Sequence, residues 1–212
     1  MHDDHYAHYM DEMLSITAKM MREPIVTKSR TLVNMLVGCK HGRQFAPAPV
    51  STGRAFILGI GGSAANAQHF AADLRKVCRI DAICPTDNIA FTTAMTNDIS
   101  WESVFIEYLS TSRLQSNDVV VAMSVGGASL NEEGEIAASV GLYNALVYAR
   151  GVKNANCFAI LGKLGKMAEV LHPSNVMLIP TPVGCENVYG HVETFQSAIW
   201  HAVVSHPLLK AR

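Results

Sequence analysis

Long apolar runs are missing from this 212-residue chain, and none approaches the roughly 18–20 residues needed to cross a bilayer. No export signal is expected from Met1-His2-Asp3-Asp4-His5, which lacks a basic-then-apolar layout. Cysteine is sparse and unpatterned: Cys39, Cys78, Cys84, Cys157 and Cys185 form no C-x-x-C pair. Their odd number argues for reduced thiols in a cytoplasm rather than a disulfide framework. Charge of neither sign is in excess, and the formal net charge of −1 lacks the basic footprint of a general nucleic-acid binder. No Gly-Lys-Ser/Thr occurs, so there is no P-loop. Internal repeats and low-complexity tracts are absent as well. With 49% apolar residues, 17% charged and only 7% aromatic, the composition is that of a compact enzyme with one well-buried core.

Against those absences one stretch stands out. Ala55-Phe56-Ile57-Leu58 is an apolar run of the kind buried in a parallel sheet, and Gly59-Ile60-Gly61-Gly62-Ser63 follows it. Ala64 to Lys76 then contains no Gly or Pro and reads as a helix. Such a strand–turn–helix unit aims free backbone N–H groups and a positive helix end at one spot, which suits a phosphate or another anion. The turn departs from the dinucleotide fingerprint, since Ala64 stands where the third Gly is usual. On the helix, Ala67, Phe70, Ala71 and Leu74 form an apolar stripe. Asn66, His69 and Asp73 lie opposite, with His69 and Asp73 one turn apart, close enough to share a metal or a proton.

The remaining chain supports one α/β unit. Residues 3 to 45 read as two helices broken at Pro24, with Tyr6, Tyr9, Met10, Met13, Leu14, Thr17, Met20 and Met21 at helical spacing. These must dock on the α/β core or on another subunit, and His2, His5 and His8 read as part of a flexible terminus. Gln44 to Gly53, with Pro47 and Pro49, is a connector, so the helical extension is expected over 1–50 and the α/β unit over 51–212. Asp81–Cys84, Asp118–Met123, Asn156–Leu161 and Asn175–Ile179 read as further strands. Helices are expected near 88–96, 101–109, 141–150, 166–171 and 188–205, with Asn97 and Asp98 in a turn. Strands alternating with helices predict a parallel sheet covered on both faces.

A second small-residue turn, Ser124-Val125-Gly126-Gly127-Ala128-Ser129, follows the clearest strand. Ser63, Ser124 and Ser129 can donate hydroxyl hydrogen bonds, and Gly61, Gly62, Gly126 and Gly127 allow close backbone approach. Two such turns at strand carboxyl ends point to a phosphate-type ligand. The last helix carries Val192, Phe195, Ile199 and Val203 on one side, and Glu193 and His201 on its polar side, about 12 Å apart along the axis. Glu193 and His201 are candidates for a metal ligand or an acid–base group beside His69 and Asp73.

Gly61-Gly62-Ser63-Ala64-Ala65-x-Ala67-Gln68-His69-Phe70-Ala71 resembles the signature of phosphoheptose isomerases in the sugar isomerase (SIS) superfamily. The likeness extends to Thr96-Asn97-Asp98, Ser124-Val125-Gly126-Gly127 and His191 through His201. It implies a three-layer, flavodoxin-like fold, a homotetramer and active sites lined by more than one chain. It further implies isomerisation of sedoheptulose 7-phosphate through an enediol, with no nucleic acid or membrane partner. Carried over, Asp73 is the base and His201 the acid, while His69, Asp73, Glu193 and His201 hold Zn²⁺. Ser63, Ser124 and Ser129 bind phosphate, and Gly61, Gly62, Asn97, Asp98, Gly126 and Gly127 line the substrate. Three positions depart from the family pattern: Asp73 replaces Glu, Glu193 replaces Gln, and the serine loop has lost two hydroxyls. A non-catalytic regulator of the same superfamily, including one that associates with the replication initiator, and an isomerase of another sugar phosphate are the alternatives.

Overall fold

The computed structural model describes residues 4–22, 25–41 and 52–210. His2, Pro24 and the 44–51 part of the connector, with the expected boundary at 50/51, lie outside the described residues. Two helices, α1 (Asp4–Met20) and α2 (Ile25–His41), precede β1 (Ala55–Gly59) and α3 (Gly62–Lys76). The chain continues through β2 (Ala82–Ile83), α4 (Ile89–Asp98), α5 (Val104–Thr111), β3 (Val119–Ser124) and α6 (Val140–Val147). It closes with β4 (Asn156–Leu161), α7 (Lys166–Val170), β5 (Val176–Leu178) and α8 (Val188–Val204).

All five strands pair in parallel in the order β2-β1-β3-β4-β5. This is the expected flavodoxin-like order, whose switch point lies between β1 and β3, where ligands collect beyond the strand ends. The register is continuous, with Ile57 opposite Val121 and Val121 opposite Phe158. Because side chains alternate across each strand, one sheet face buries Ile57, Val121, Met123, Phe158 and Ile160 under α2, α3 and α8. The other buries Phe56, Leu58, Val120, Ala122 and Leu161 under α5, α6 and α7. Both faces are covered, which is why these strands read as unbroken apolar runs.

The predicted stripe on α3 is the one that packs: Ala67, Phe70, Ala71 and Leu74 are buried. In α2, Leu32, Val33, Leu36 and Cys39 enter the same core. The tyrosine and methionine stripe on α1 splits: Met13 and Met20 pack against the core beside the buried Ile16, while Tyr6 and Leu14, with Met21 just past the helix, remain 74%, 65% and 76% exposed. Asn97 and Asp98 correct the reading as a turn. They form the last turn of α4, which is capped by the Asn88 side chain accepting from the Phe91 N–H and contains no Gly or Pro to end it sooner. Trp101 begins a 3₁₀ turn (Trp101–Ser103), so α5 starts three residues later than its apolar spacing suggests. No helix among the described residues is long and apolar enough to cross a membrane.

Candidate functional site

At the β1/β3 switch point the ends of both strands open into a cleft of about 450 Å³. Gly61 and Ser63 line it from the first turn, Ser124, Gly126 and Ser129 from the second, and Glu193 from α8. The expected pairing of the two turns is therefore present in space. Ser63 is buried, and its hydroxyl donates to Gln196 Oε1 at 2.9 Å, which ties the first turn to α8.

The second turn holds its shape through Ser124, whose Oγ accepts from the Gly127 N–H at 3.0 Å and pairs with Ser139 Oγ at 3.1 Å. Gly127 has φ +61°, and a Cβ there would collide with the Lys163 carbonyl, so only glycine fits. Gly127 thus shapes the loop instead of lining the cleft. Ala128 (φ +61°) and Ser139 (φ +60°) are also left-handed, at a cost of about 1–2 kcal/mol each for residues with a Cβ. Strain of that kind, stored beside a cleft, is characteristic of functional loops. Lys163, at the end of β4, also lines the cleft and is its one cation among the described residues. The resemblance did not assign it, although Gly162 and Gly165 around it repeat the small-residue character of the other two turns.

The titratable residues of α3 and α8 gather elsewhere, on the outer seam between these helices. His69, Asp73 and His201 place their ligand atoms within 4.8 Å of one another, half-exposed to solvent. His69 Nε2 lies 3.9 Å from Asp73 Oδ2, and the His69 and His201 rings meet edge-on at 5.4 Å. Trp200 stacks on His201 and meets His69 edge-on, so one indole orients both imidazoles. His201 Nδ1 lies 2.9 Å from the Ser197 carbonyl. A carbonyl only accepts, so Nδ1 carries the hydrogen and Nε2 presents its lone pair. Two imidazoles and a carboxylate, one imidazole fixed by a backbone carbonyl, make a donor set that fits Zn²⁺.

Glu193 does not join them. It lies eight residues before His201, about 12 Å up α8, with its carboxylate against the start of α3. A Cβ on Gly62 would overlap that carboxylate, so Gly62 faces Glu193 where the sequence suggested a substrate contact. Of the four residues that the resemblance assigns to the ion, His69, Asp73 and His201 come together within one chain and Glu193 stands apart from them. Asn97 and Asp98 line neither site; both are exposed, and Asn97 Nδ2 donates to Asp98 Oδ1 at 2.8 Å.

No family model matches the chain. Among curated proteins, it is 33% identical over 133 residues to the phosphoheptose isomerase of Syntrophotalea carbinolica, covering 58% of this chain and 60% of that one. It is 37% identical over 84 residues to the phosphoheptose isomerase of Helicobacter pylori, covering 37% and 43%. The chain thus matches about half the length of these relatives. Among solved structures, the phosphoheptose isomerase of Neisseria gonorrhoeae superposes with a TM-score of 0.77 at 21% identity, over 96% of this chain and 97% of that one. The chain is thus similar in sequence to phosphoheptose isomerases over part of its length, and it shares the α/β fold of one of them over nearly all of it.

Proposed function

We propose that this protein is an aldose–ketose isomerase of phosphosugars, converting sedoheptulose 7-phosphate to D-glycero-D-manno-heptose 7-phosphate. The observation that carries this reading is the convergence of His69, Asp73 and His201 on one seam. A module that only binds a phosphosugar needs no such cluster. The phosphate sits on the Ser124–Ser129 loop, whose hydroxyls and N–H groups donate to it, with Lys163 supplying a positive charge.

The reaction moves a proton between C1 and C2 of the sugar. Asp73 takes the C1 proton, the electrons form the 1,2-enediol, and the proton returns to C2 on the aldose side. His201 Nε2 exchanges the proton on the sugar oxygens, held in position by its Nδ1 hydrogen bond and by Trp200. His69, Asp73 and His201 are the residues that would hold Zn²⁺, which when bound would supply charge stabilisation at the enediol oxygens in place of the His201 proton.

Within one chain the cleft and the seam lie at opposite ends of the α3–α8 pair. We therefore place the complete active site between chains of a homotetramer, the cleft of one copy facing the seam of another. The exposed apolar face of α1 supports this assembly, as does α4, which buries no residue. Five free cysteines accord with a cytoplasmic setting. The test is direct assay of the purified protein with sedoheptulose 7-phosphate and with hexose and pentose phosphates. Turnover of the heptose is expected, turnover of a shorter sugar alone would change the substrate, and binding without turnover would favour the regulator.

A further inference from the structure

A second group of metal-ligating side chains lies away from the α3–α8 seam. Glu12 of α1, Cys185 of the loop before α8 and His191 in the first turn of α8 place one donor atom each within 4.8 Å of one another. Glu12 and His191 are buried, and Cys185 is partly exposed. Glu12 Oε2 lies 2.8 Å from His191 Nε2 and accepts from Asn187 Nδ2 at 3.1 Å. Tyr9 closes one side, its ring 4.2 Å from that of His191. Cys185 opens the other, since it lines the cleft together with Ser63, Ser124 and Glu193.

The burial and spacing of these donors point to an occupant. His191 is fully buried with Nε2 turned to Glu12, the side of the ring that faces the cluster, while Nδ1, on the other side, has no hydrogen-bond partner. The donors are also almost at ligation distance. Tetrahedral zinc, with bonds of about 2.0–2.3 Å, spaces its ligand atoms by roughly 3.2–3.8 Å. With the donor atoms within 4.8 Å of one another, closing on an ion takes side-chain adjustments of no more than about 1 Å.

We propose that Glu12, Cys185 and His191 form a second zinc site, with three protein ligands and an open position toward the cleft. A mixed S, N and O set selects zinc over magnesium or calcium, which take oxygen alone. Three ligands with a vacancy are the arrangement of sites that bind a substrate or water oxygen rather than of closed structural ones. The site also links α1 to the rim of the cleft, because its ligands come from α1, from α8 and from the loop before α8. On binding, the Cys185 thiol gives up its proton and the thiolate takes the metal. The inference does not rest on the isomerase reading.

Cobalt(II) titration of the metal-free full-length protein tests it. The Glu12–Cys185–His191 site contains sulfur and the His69–Asp73–His201 site does not, so a near-ultraviolet thiolate-to-cobalt charge-transfer band reports the first alone. The band is expected in the native protein, lost in Cys185→Ala and retained in His69→Ala. Zinc analysis should find one ion fewer per chain in Cys185→Ala, whose circular dichroism should match the parent's. Absence of the band from the native protein, or its survival in Cys185→Ala, would overturn the proposal whatever the isomerase assay shows.

Discussion

Gly62→Ala separates the electrostatics of the cleft from the stability of the fold. A Cβ at position 62 falls on the Glu193 carboxylate, meeting its carbon and both oxygens. Those atoms end a flexible side chain that already lines the cleft, so the carboxylate can swing away into it. Two stability effects then oppose each other. Removing glycine from the helix contributes about 0.5–1 kcal/mol, and loss of the carboxylate from the α3 N-terminus costs about 0.3–1 kcal/mol. Tm should stay within about 4 °C of the parent, since 1 kcal/mol shifts a chain of this size by about 2–4 °C. Substrate binding should respond far more. A carboxylate brought to about 6 Å from a phosphate charge, at an effective dielectric near 40, repels it by about 1.4 kcal/mol, or roughly tenfold in KM. Thermal melts and steady-state isomerase kinetics measure both effects. In a Glu193→Ala background the added methyl should leave KM unchanged and raise Tm by about 1–4 °C, because only the glycine effect of about 0.5–1 kcal/mol remains. A Tm loss beyond about 8 °C, or a KM unmoved by the substitution, would refute the reasoning.

Three further outcomes are expected. Asp118→Ala should lower stability by about 3–5 kcal/mol in urea unfolding, as for removing one partner of a buried pair. The buried carboxylate accepts the Arg54 N–H at 2.7 Å, Arg54 Nη2 at 2.9 Å and the Gln115 N–H at 2.9 Å, all of which would lose their acceptor far from the cleft. In the metal-free native protein at pH 8, Cys39 and Cys157 should resist a thiol reagent, because burial pushes both thiols up to about 12 and leaves almost no thiolate; Cys185, half-buried at the cleft, should react first. Light scattering at micromolar concentration should give four times the chain mass, whereas a monomer would leave the seam without a facing cleft.

Strand–helix alternation was legible because each central strand is buried on both faces and each helix has one apolar stripe, as in Ile57–Leu58 and Phe70–Leu74. The His69–Asp73 pair was legible for the same reason, as i, i+4 spacing fixes neighbours on a helix. Glu193 was not, because its role depends on how α8 crosses α3, and spacing along one helix says nothing of that. The Glu12–His191 contact joins residues 179 apart in the chain, and Glu12 carries no periodic signal. Lys163 was hidden differently: a lone lysine after a strand looks like any surface cation until the fold brings it to the cleft.

Asp73 decides the central claim. Asp73→Asn keeps the size of the side chain on the seam but removes its basicity. Incubation with sedoheptulose 7-phosphate in deuterated water, followed by NMR, reads both aldose formation and solvent deuterium entering at carbon. The native protein should yield the aldose with deuterium at C2, and Asp73→Asn should slow this by about 10²–10⁴-fold while still binding the sugar phosphate. Equal turnover by Asp73→Asn and the native protein would contradict the account.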